Sequence, residues 1–334
     1  MLELPGPVVV APMAGGPTTP ELVVAAGRAG ALGFLAAGYK TPAAVEAELR
    51  AVGDAGVAYG LNIFVPTAAP ADGEEVSRYR ERLKFEAERY GVELPRLRLS
   101  DDDHFDAKVA LAAEYEVPFV SFTFGVPPAP VVARLRGGGA RVLITVTNRV
   151  EALRALMAGP DALVAQAGTA GGHASTTDPA RYEGTSTAPE VLAAVLAVTD
   201  RPVIAAGGTA SAADVAALLG AGATAVQVGT FLLLADEAGT KPAQRAAMLS
   251  GDYRETAVTR AFTGQPARGL RNRFLDEHSA AAPVGYPAIH HLTAPIRAAA
   301  AAAGDASALN LWAGTGFAAA RPGPVADLLR SLTP

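Results

Sequence analysis

His173 is the residue of this sequence best placed to transfer a proton. It directly follows Gly171 and Gly172, and neighbours without side chains would leave the imidazole open to a ligand. The unperturbed pKa of histidine, about 6.5, suits a general acid or base that works near neutral pH. We therefore interpret His173 as the catalytic acid or base, against the alternative that it only packs within the fold, as most histidines do.

Two amides, Asn62 and Gln166, lie near the carboxyl ends of segments that are otherwise apolar. An amide offers both a donor and an acceptor, which matches a heterocycle edge that carries both, such as the pyrimidine ring of a flavin. The alternative is that each amide only satisfies nearby backbone groups. Met13 presents a similar choice, because a methionine after a strand either packs under a flat ring or fills the core.

Glycines end two neighbouring predicted strands, at Gly207-Gly208 and at Gly229, and a helical segment follows each of them. A glycine lets a phosphate approach the main chain, and the loops after the last two strands of a barrel often bind phosphate through backbone N–H groups. Two such turns in adjacent strands favour a phosphate site over the alternative that the glycines only turn the chain.

The other histidines and the missing cysteines limit further chemistry. His290 and His291 begin a predicted helix in the tail, where they either line the mouth of a site or only cap that segment. The sequence has no cysteine, which excludes disulfides, thiolate zinc sites, iron–sulfur clusters and cysteine nucleophiles. No His-x-x-x-His pair or carboxylate cluster is visible either, so we expect no metal site.

The fold that must position these residues alternates short apolar strands with alanine-rich helices. The eight predicted strands are Val8–Ala11, Gly33–Ala36, Ala58–Phe64, Phe119–Phe124, Arg141–Val146, Ala162–Gln166, Pro202–Ala206 and Ala225–Gly229. The predicted helices between them include Pro20–Ala29, Pro42–Asp54, Ala129–Arg136, Val150–Met157, Ala188–Val198 and Ser211–Leu219. Such alternation implies right-handed βαβ units, and eight of them predict an α/β fold, a (β/α)8 TIM barrel, rather than the alternative of a doubly wound open sheet.

The barrel is predicted to span residues 1–253, with a charged helical insert at about 73–103. Residues 254–334 contain Tyr286, Trp312 and several Gly–Pro turns. We expect this C-terminal extension to pack on the barrel rather than fold alone, which would give a single catalytic domain.

Charge and hydropathy exclude several classes of partner. The formal net charge of −5 argues against a nucleic-acid-binding protein, which needs clustered lysine and arginine. The sequence has no uncharged apolar stretch of about 18 residues, so no membrane span is expected. The first twelve residues lack the pattern of a signal peptide, and we expect a cytoplasmic protein that acts on a small molecule.

Taken together, the motifs resemble those of the nitronate monooxygenases, formerly called 2-nitropropane dioxygenases, nearly from end to end. They are Ala11-Pro12-Met13-Ala14-Gly15-Gly16, Gly33 to Tyr39, Asn62 to Pro66, Ser121 to Gly125, Gln166 to His173, Ala205 to Gly208, Gln227 to Thr230 and Thr259 to Gly264. The resemblance implies a barrel that holds FMN noncovalently. It places Pro12 and Met13 beside the isoalloxazine, Asn62 and Gln166 at its polar edge, Gly171 near the ring, and Gly207, Gly208, Gln227, Val228, Gly229 and Thr230 around the ribityl phosphate.

The resemblance also implies an activity, the oxidation of alkyl nitronates such as propionate 3-nitronate by FMN and O2 to a carbonyl compound and nitrite. His173 matches the active-site histidine of the family, and it would either remove the α-proton of a neutral nitroalkane or hold the nitronate charge as an imidazolium. The protein would be a monomer or a homodimer. Two positions depart from the family pattern: Thr169 stands where an acidic residue is more common, and Ala174-Ser175 replaces an arginine–glycine pair.

Other functions remain open at the level of the sequence. The main alternative is an NAD(P)H-dependent flavin reductase acting on a quinone or on an enoyl-acyl-carrier protein, although the sequence has no Gly-x-Gly-x-x-Gly fingerprint between a strand and a helix. A phosphate-binding barrel isomerase without flavin and a non-catalytic flavin-binding protein are the alternatives from other classes.

Overall fold

A closed barrel of eight parallel strands forms the centre of the computed structural model, which describes residues 2–67 and 70–334. The strands of the described chain are β1 (Val8–Val10), β2 (Leu32–Ala36), β3 (Tyr59–Phe64), β4 (Phe119–Thr123), β5 (Arg141–Val146), β6 (Ala162–Gln166), β7 (Gly172–His173), β8 (Val203–Ala206), β9 (Ala225–Val228), β10 (Thr256–Thr259) and β11 (Ala267–Leu270). All except β7, β10 and β11 belong to the barrel. Val9 of β1 pairs with Leu32 on one side and Gln227 on the other, which closes the ring and confirms the predicted TIM barrel.

Helices pack against the outside of the barrel and also build the insert and the extension. They are α1 (Pro20–Arg28), α2 (Pro42–Gly53), α3 (Gly73–Arg82), α4 (Lys84–Arg89), α5 (Phe105–Glu114), α6 (Ala129–Gly137), α7 (Arg149–Met157), α8 (Ala188–Leu196), α9 (Ala212–Gly220), α10 (Pro242–Ser250), α11 (Arg273–His278), α12 (Ala288–Ala302) and α13 (Val325–Arg330). Several begin at a side-chain cap: the hydroxyl of Thr19, for example, accepts from the Leu22 N–H at 3.0 Å, and Pro20 takes the first helical position. No helix of the described chain is long and apolar enough to cross a membrane.

The interior of the barrel is a packed apolar core. Side chains such as Val9, Phe34, Leu143 and Ile204 point into it and are almost fully buried. A second apolar layer lies between strands and helices, where Leu328 of α13 joins the cluster that contains Leu22 of α1. The C-terminal helix therefore covers part of the barrel wall, and the packed interior leaves ligand binding to the strand ends and their loops.

The segment predicted as a helical insert is helical only in its first half, over α3 and α4. Gly91, with a φ of 61°, follows the second helix, and no helix or strand is assigned to residues 90–104. The next helix, α5, was not predicted. Its packed face includes Lys108, which is fully buried, with its Nζ 2.7 Å from the Asp103 carboxylate. A lysine at a buried position interrupts the apolar pattern by which the helix could have been predicted.

The insert is joined to the extension by a buried ion pair. Glu86 of α4 is 1% exposed and accepts from both terminal nitrogens of Arg273 on α11, at 2.5 and 2.9 Å. Burial alone would raise the pKa of Glu86, but the His278 ring 3.5 Å away and the hydrogen bonds from Arg273 hold it at about 2. Glu86, Glu277 and His278 have ligand-type atoms within 4.8 Å of one another. Because the Arg273 guanidinium already binds both Glu86 oxygens, this cluster is an ion-pair network.

A small antiparallel sheet, also not predicted, connects the extension to the loop that contains His173. Its strand order is β10-β11-β7, and Ala267 of β11 pairs directly with His173 of β7. A two-residue strand in a glycine-rich loop carries no alternation that a sequence pattern could detect. The sheet fixes the backbone of His173 beside the carboxyl ends of the barrel strands.

Candidate active site

A cavity of about 440 Å³ lies at the carboxyl ends of the barrel strands. This volume is within the ~300–1,000 Å³ range of small-molecule sites. The lining includes every residue predicted for catalysis or cofactor binding: Pro12, Met13, Asn62, Gln166, Gly171, His173, Gly207, Gly208, Gln227, Val228, Gly229 and Thr230. The extension covers it with residues of α12 and of the loop that contains Trp312, so barrel and extension build the cavity together.

One end of the cavity has the features of a phosphate cradle. Gly207 and Gly208 have φ values of 117° and 75°, and an added Cβ at either would come within 3.1 Å of the Thr169 hydroxyl. None of the backbone hydrogen bonds in the described chain uses the N–H groups of Gly208 or Thr230. The buried hydroxyl of Thr209 also has no partner among the described residues. Unused donors beside bare backbone suit a phosphate group.

The sequence predicted that a helical segment follows each of the two glycine turns, and the two segments differ in the structure. The helix that follows Gly208, α9, caps itself: Ser211 accepts from the Asp214 N–H at 3.2 Å, and the Asp214 carboxylate accepts from the Ala210 N–H at 3.0 Å. After Gly229 the chain forms a short 3-10 helix, Thr230–Leu232, and none of the backbone hydrogen bonds in the described chain uses the N–H groups of Thr230 or Phe231. No residue of α9 lines the cavity, so the helix-start donor at this end is Thr230, in the loop after β9.

Asn62 and Gln166 differ in whether their amide groups have hydrogen-bond donors left for a ligand. The Asn62 Oδ1 accepts from Ser121 and Thr123 at 2.8 and 3.0 Å, while no hydrogen bond of the described chain uses its Nδ2. In contrast, Gln166 uses both ends: its Nε2 donates to the His173 carbonyl at 3.0 Å, and its Oε1 accepts from the Ser175 N–H at 2.7 Å. Asn62 thus retains a donor at the cavity, whereas Gln166 holds the backbone of the His173 loop.

His173 is oriented by a hydrogen bond and by three aromatic rings. Its ring centroid lies 5.4 Å from those of Phe124 and Trp312 and 6.1 Å from that of Tyr286. Its Nε2 lies 3.0 Å from the Thr263 hydroxyl, which donates its own proton to the Gln265 carbonyl at 3.2 Å. Because a carbonyl oxygen can only accept, we assign the Thr263 proton to Gln265, which gives Nε2 the imidazole hydrogen and leaves Nδ1 unprotonated. No hydrogen bond of the described chain uses Nδ1, so this nitrogen is available to a ligand.

The imidazole of His173 is neutral near pH 7. Burial, together with the smaller effect of the nearby Arg297 charge, lowers its pKa to about 3. The exposed part of the ring faces the cavity, since His173 is one of the lining residues. Of the two roles that the sequence left open, this environment favours a base over an imidazolium that holds the charge of a nitronate.

Residues that the sequence did not assign to the site lie around it. Arg297 and Tyr39 line the cavity, and the Tyr39 ring stacks on His290 with centroids 4.2 Å apart. His290 lines the cavity too, whereas His291 points to the insert and contacts the Asp101 carboxylate at 2.9 Å. The sequence feature that could have pointed to Arg297 is its position as the one arginine or lysine in the alanine-rich helix α12.

We expect the neutral histidines to make the protein less stable as the pH falls below about 6.5. Burial lowers the pKa of His290 to about 2 and that of His173 to about 3. Below about pH 6.5 these two histidines therefore bind protons in the unfolded chain but stay neutral in the folded protein. The free energy of unfolding should therefore fall with decreasing pH, by up to about 1.4 kcal/mol per pH unit for each histidine.

Urea denaturation at pH 6.5, 6.0, 5.5 and 5.0 measures this effect, because the carboxylates titrate mainly below this range. A His173→Asn, His290→Asn double variant should show a much flatter pH dependence than the natural chain. Equal slopes for the two proteins would show that neither histidine is held neutral.

Comparison with known proteins relates the chain to one family of enzymes. The family model described as nitronate monooxygenase matches residues 2–334. A protein of Staphylococcus aureus (strain Newman) named probable nitronate monooxygenase is 32% identical over 318 residues, covering 94% of this chain and 89% of the relative.

Solved structures show the same similarity. The nitroalkane oxidase from Streptomyces ansochromogenes superimposes with a TM-score of 0.95 at 44% identity, over 98% of this chain and 95% of that one. FabK from Thermotoga maritima superimposes with a TM-score of 0.75 at 24% identity, over 98% of this chain and 92% of that one, and this likeness concerns the fold alone.

Proposed function

The chain belongs to the nitronate monooxygenase family, and we propose that it binds FMN noncovalently in the barrel cavity and oxidises alkyl nitronates with O2 to a carbonyl compound and nitrite. Propionate 3-nitronate represents the proposed substrate class. The observation that carries the proposal is the convergence of the glycine cradle, the free Asn62 amide and the cavity-facing His173 in one cavity. The family membership supports flavin-dependent oxidation of a nitro compound, and the named substrate and FMN itself are our proposal.

The cavity fits FMN in three respects. The open N–H groups of Gly208 and Thr230 would hold the phosphate, with the Thr209 hydroxyl beside them. Asn62 would donate its free Nδ2 hydrogen to an acceptor on the polar edge of the ring system. Pro12 and Met13 give an apolar surface for the flat ring. When bound, FMN supplies the electron-accepting chemistry that no side chain of this cysteine-free protein offers.

His173 supplies the proton chemistry. Its unprotonated Nδ1 would remove the α-proton of a neutral nitroalkane, which converts the nitroalkane into the nitronate. Thr263 would keep the Nε2 hydrogen in place during this transfer, and Gln166 would hold the loop backbone. A preformed nitronate has already lost the α-proton, so its oxidation would not require this step. The aromatic rings around His173 would limit the access of water to the reacting atoms.

An anaerobic mixing experiment separates this function from that of an NAD(P)H-dependent flavin reductase, for which we find no support beyond a shared fold. The flavin-loaded protein is mixed without oxygen with propionate 3-nitronate or with NADPH, and the visible flavin absorbance is followed. We expect rapid loss of absorbance with the nitronate and no comparable loss with NADPH. Rapid bleaching by NADPH, with the nitronate inert, would contradict the proposal and favour the reductase.

A further inference from the structure

Arg297 is a cation of the cavity wall that has no anionic partner among the described residues. It projects from α12, and none of the ion pairs in the described chain includes it. The lining contains no aspartate or glutamate, and its other cation, Lys241, is an exposed residue. Removing a guanidinium from bulk solvent without a carboxylate beside it costs free energy, unless a bound ligand supplies the negative charge.

Neutral groups hold the guanidinium in place. Its Nε donates to the Thr293 hydroxyl at 3.1 Å, one terminal nitrogen donates to the His290 carbonyl at 2.9 Å, and the other approaches the Asn310 Oδ1 at 3.4 Å. These contacts leave at least one N–H of the five in the guanidinium unused. Thr293 is itself fixed, since its hydroxyl donates to the Phe262 carbonyl at 2.6 Å. The side chain is therefore preorganised rather than free to reach solvent.

We propose that Arg297 is the anion-binding residue of this site and holds the planar two-oxygen group of an anionic substrate. This inference rests on the proposed function and specifies the substrate as a nitronate anion. A nitronate carries its charge on two oxygens of one nitrogen, in the same planar arrangement as a carboxylate, and guanidinium binds that arrangement better than ammonium does.

The chemistry of the neighbours supports this assignment. His173 and His290 are the other titratable nitrogens near Arg297, and both are neutral at pH 7, so neither offsets the charge of an anion. The Arg297 pKa is lowered by burial to about 10, which leaves the side chain charged at neutral pH. The neutral Tyr39 side chain also lines this wall of the cavity, and its buried hydroxyl lies beside that of Tyr286.

The test uses propionate as a planar two-oxygen anion and propionamide as its neutral counterpart. Binding to the flavin-loaded protein is followed by the flavin absorbance spectrum and by the fluorescence of Trp312, the only tryptophan of the sequence, whose ring lies 5.4 Å from that of His173. The variants are Arg297→Gln and Arg297→Lys. Arg80→Gln is the matched control, because Arg80 also donates to backbone carbonyls, those of Leu94 and Pro95, but lies outside the cavity.

We expect Arg297→Gln to weaken propionate binding at least about tenfold while propionamide binding changes less than about twofold, since the lost interaction is a charged hydrogen bond. Arg297→Lys, which keeps the charge, should bind propionate more tightly than Arg297→Gln. Arg80→Gln should behave as the natural chain does. The flavin content of each variant is measured so that a folding defect is recognised, and Arg297→Lys provides the comparison if Arg297→Gln does not fold.

Wild-type affinity for propionate in Arg297→Gln would overturn the inference, and so would a changed flavin reduction potential with unchanged propionate affinity. In the latter case Arg297 would act on the flavin. If Arg297→Gln does not fold, an Arg297→Lys protein that binds propionate and propionamide equally well would overturn it. Failure of the proposed function looks different: propionate binding would still depend on Arg297, but no nitronate would be oxidised.

Discussion

Replacement of His173 by asparagine should lower kcat/KM for neutral nitroalkanes by about 10²–10⁴-fold, the usual contribution of a general base. Turnover of a preformed nitronate should fall much less. The expected difference follows from the unprotonated Nδ1, which Thr263 and Gln265 leave available by fixing the hydrogen on Nε2. Steady-state oxygen consumption with nitroethane and with its preformed nitronate, on the same enzyme preparation, measures both values.

The control for this prediction is His291→Asn, the same substitution next to the cavity but outside it. His291 contacts Asp101 of the insert and does not line the cavity, so its variant should retain both activities. An equal loss on nitroalkane and nitronate in His173→Asn would contradict a role limited to proton removal. It would indicate that His173 also contacts the nitronate during its oxidation.

Gly171→Ala should empty the cavity of flavin. A Cβ at this position would lie 2.4 Å from the Gly314 nitrogen, 2.6 Å from the Ala313 carbonyl carbon and 2.8 Å from the Thr230 hydroxyl. Two of these atoms are backbone, and the Thr230 hydroxyl accepts from the Gly314 N–H at 2.9 Å. The methyl group would therefore push the extension away from the phosphate end. We expect a loss of about 1–3 kcal/mol in the free energy of unfolding, as in other overpacked sites.

The flavin-to-protein ratio after gel filtration and the urea denaturation midpoint measure the two effects of Gly171→Ala. Gly220→Ala is the matched control, because Gly220 ends α9 with nothing within 4 Å of an added Cβ. It should keep its flavin and its stability. A Gly171→Ala protein with a full complement of flavin would show that the extension is not held where the structure has it.

The barrel could be predicted because its signal is local. Each strand is a short apolar run between turns, and β5 and β6 have the predicted bounds. Residues at the carboxyl ends of such strands must meet in one place, which is why the predicted site residues share a cavity. The pattern of strands and helices placed these residues at one end of the barrel, and the family resemblance then assigned them roles.

What could not be predicted depends on contacts between distant segments. The β7–β11 pairing joins His173 to Ala267, and no local pattern marks a two-residue strand. Lys108 looks like a solvent-exposed residue until Asp103 is placed beside it. Arg297 belongs to the site only because the extension brings α12 over the strand ends, and the sequence alone did not show which residues of that helix face the cavity.

An oxygen-electrode recording with propionate 3-nitronate tests most directly whether this cavity oxidises nitronates with O2. The flavin-loaded protein should consume oxygen when the nitronate is added, nitrite should accumulate in the same sample, and protein stripped of flavin should do neither. An absence of oxygen uptake and nitrite with propionate 3-nitronate and with simple alkyl nitronates, from protein that retains its flavin, would contradict the account.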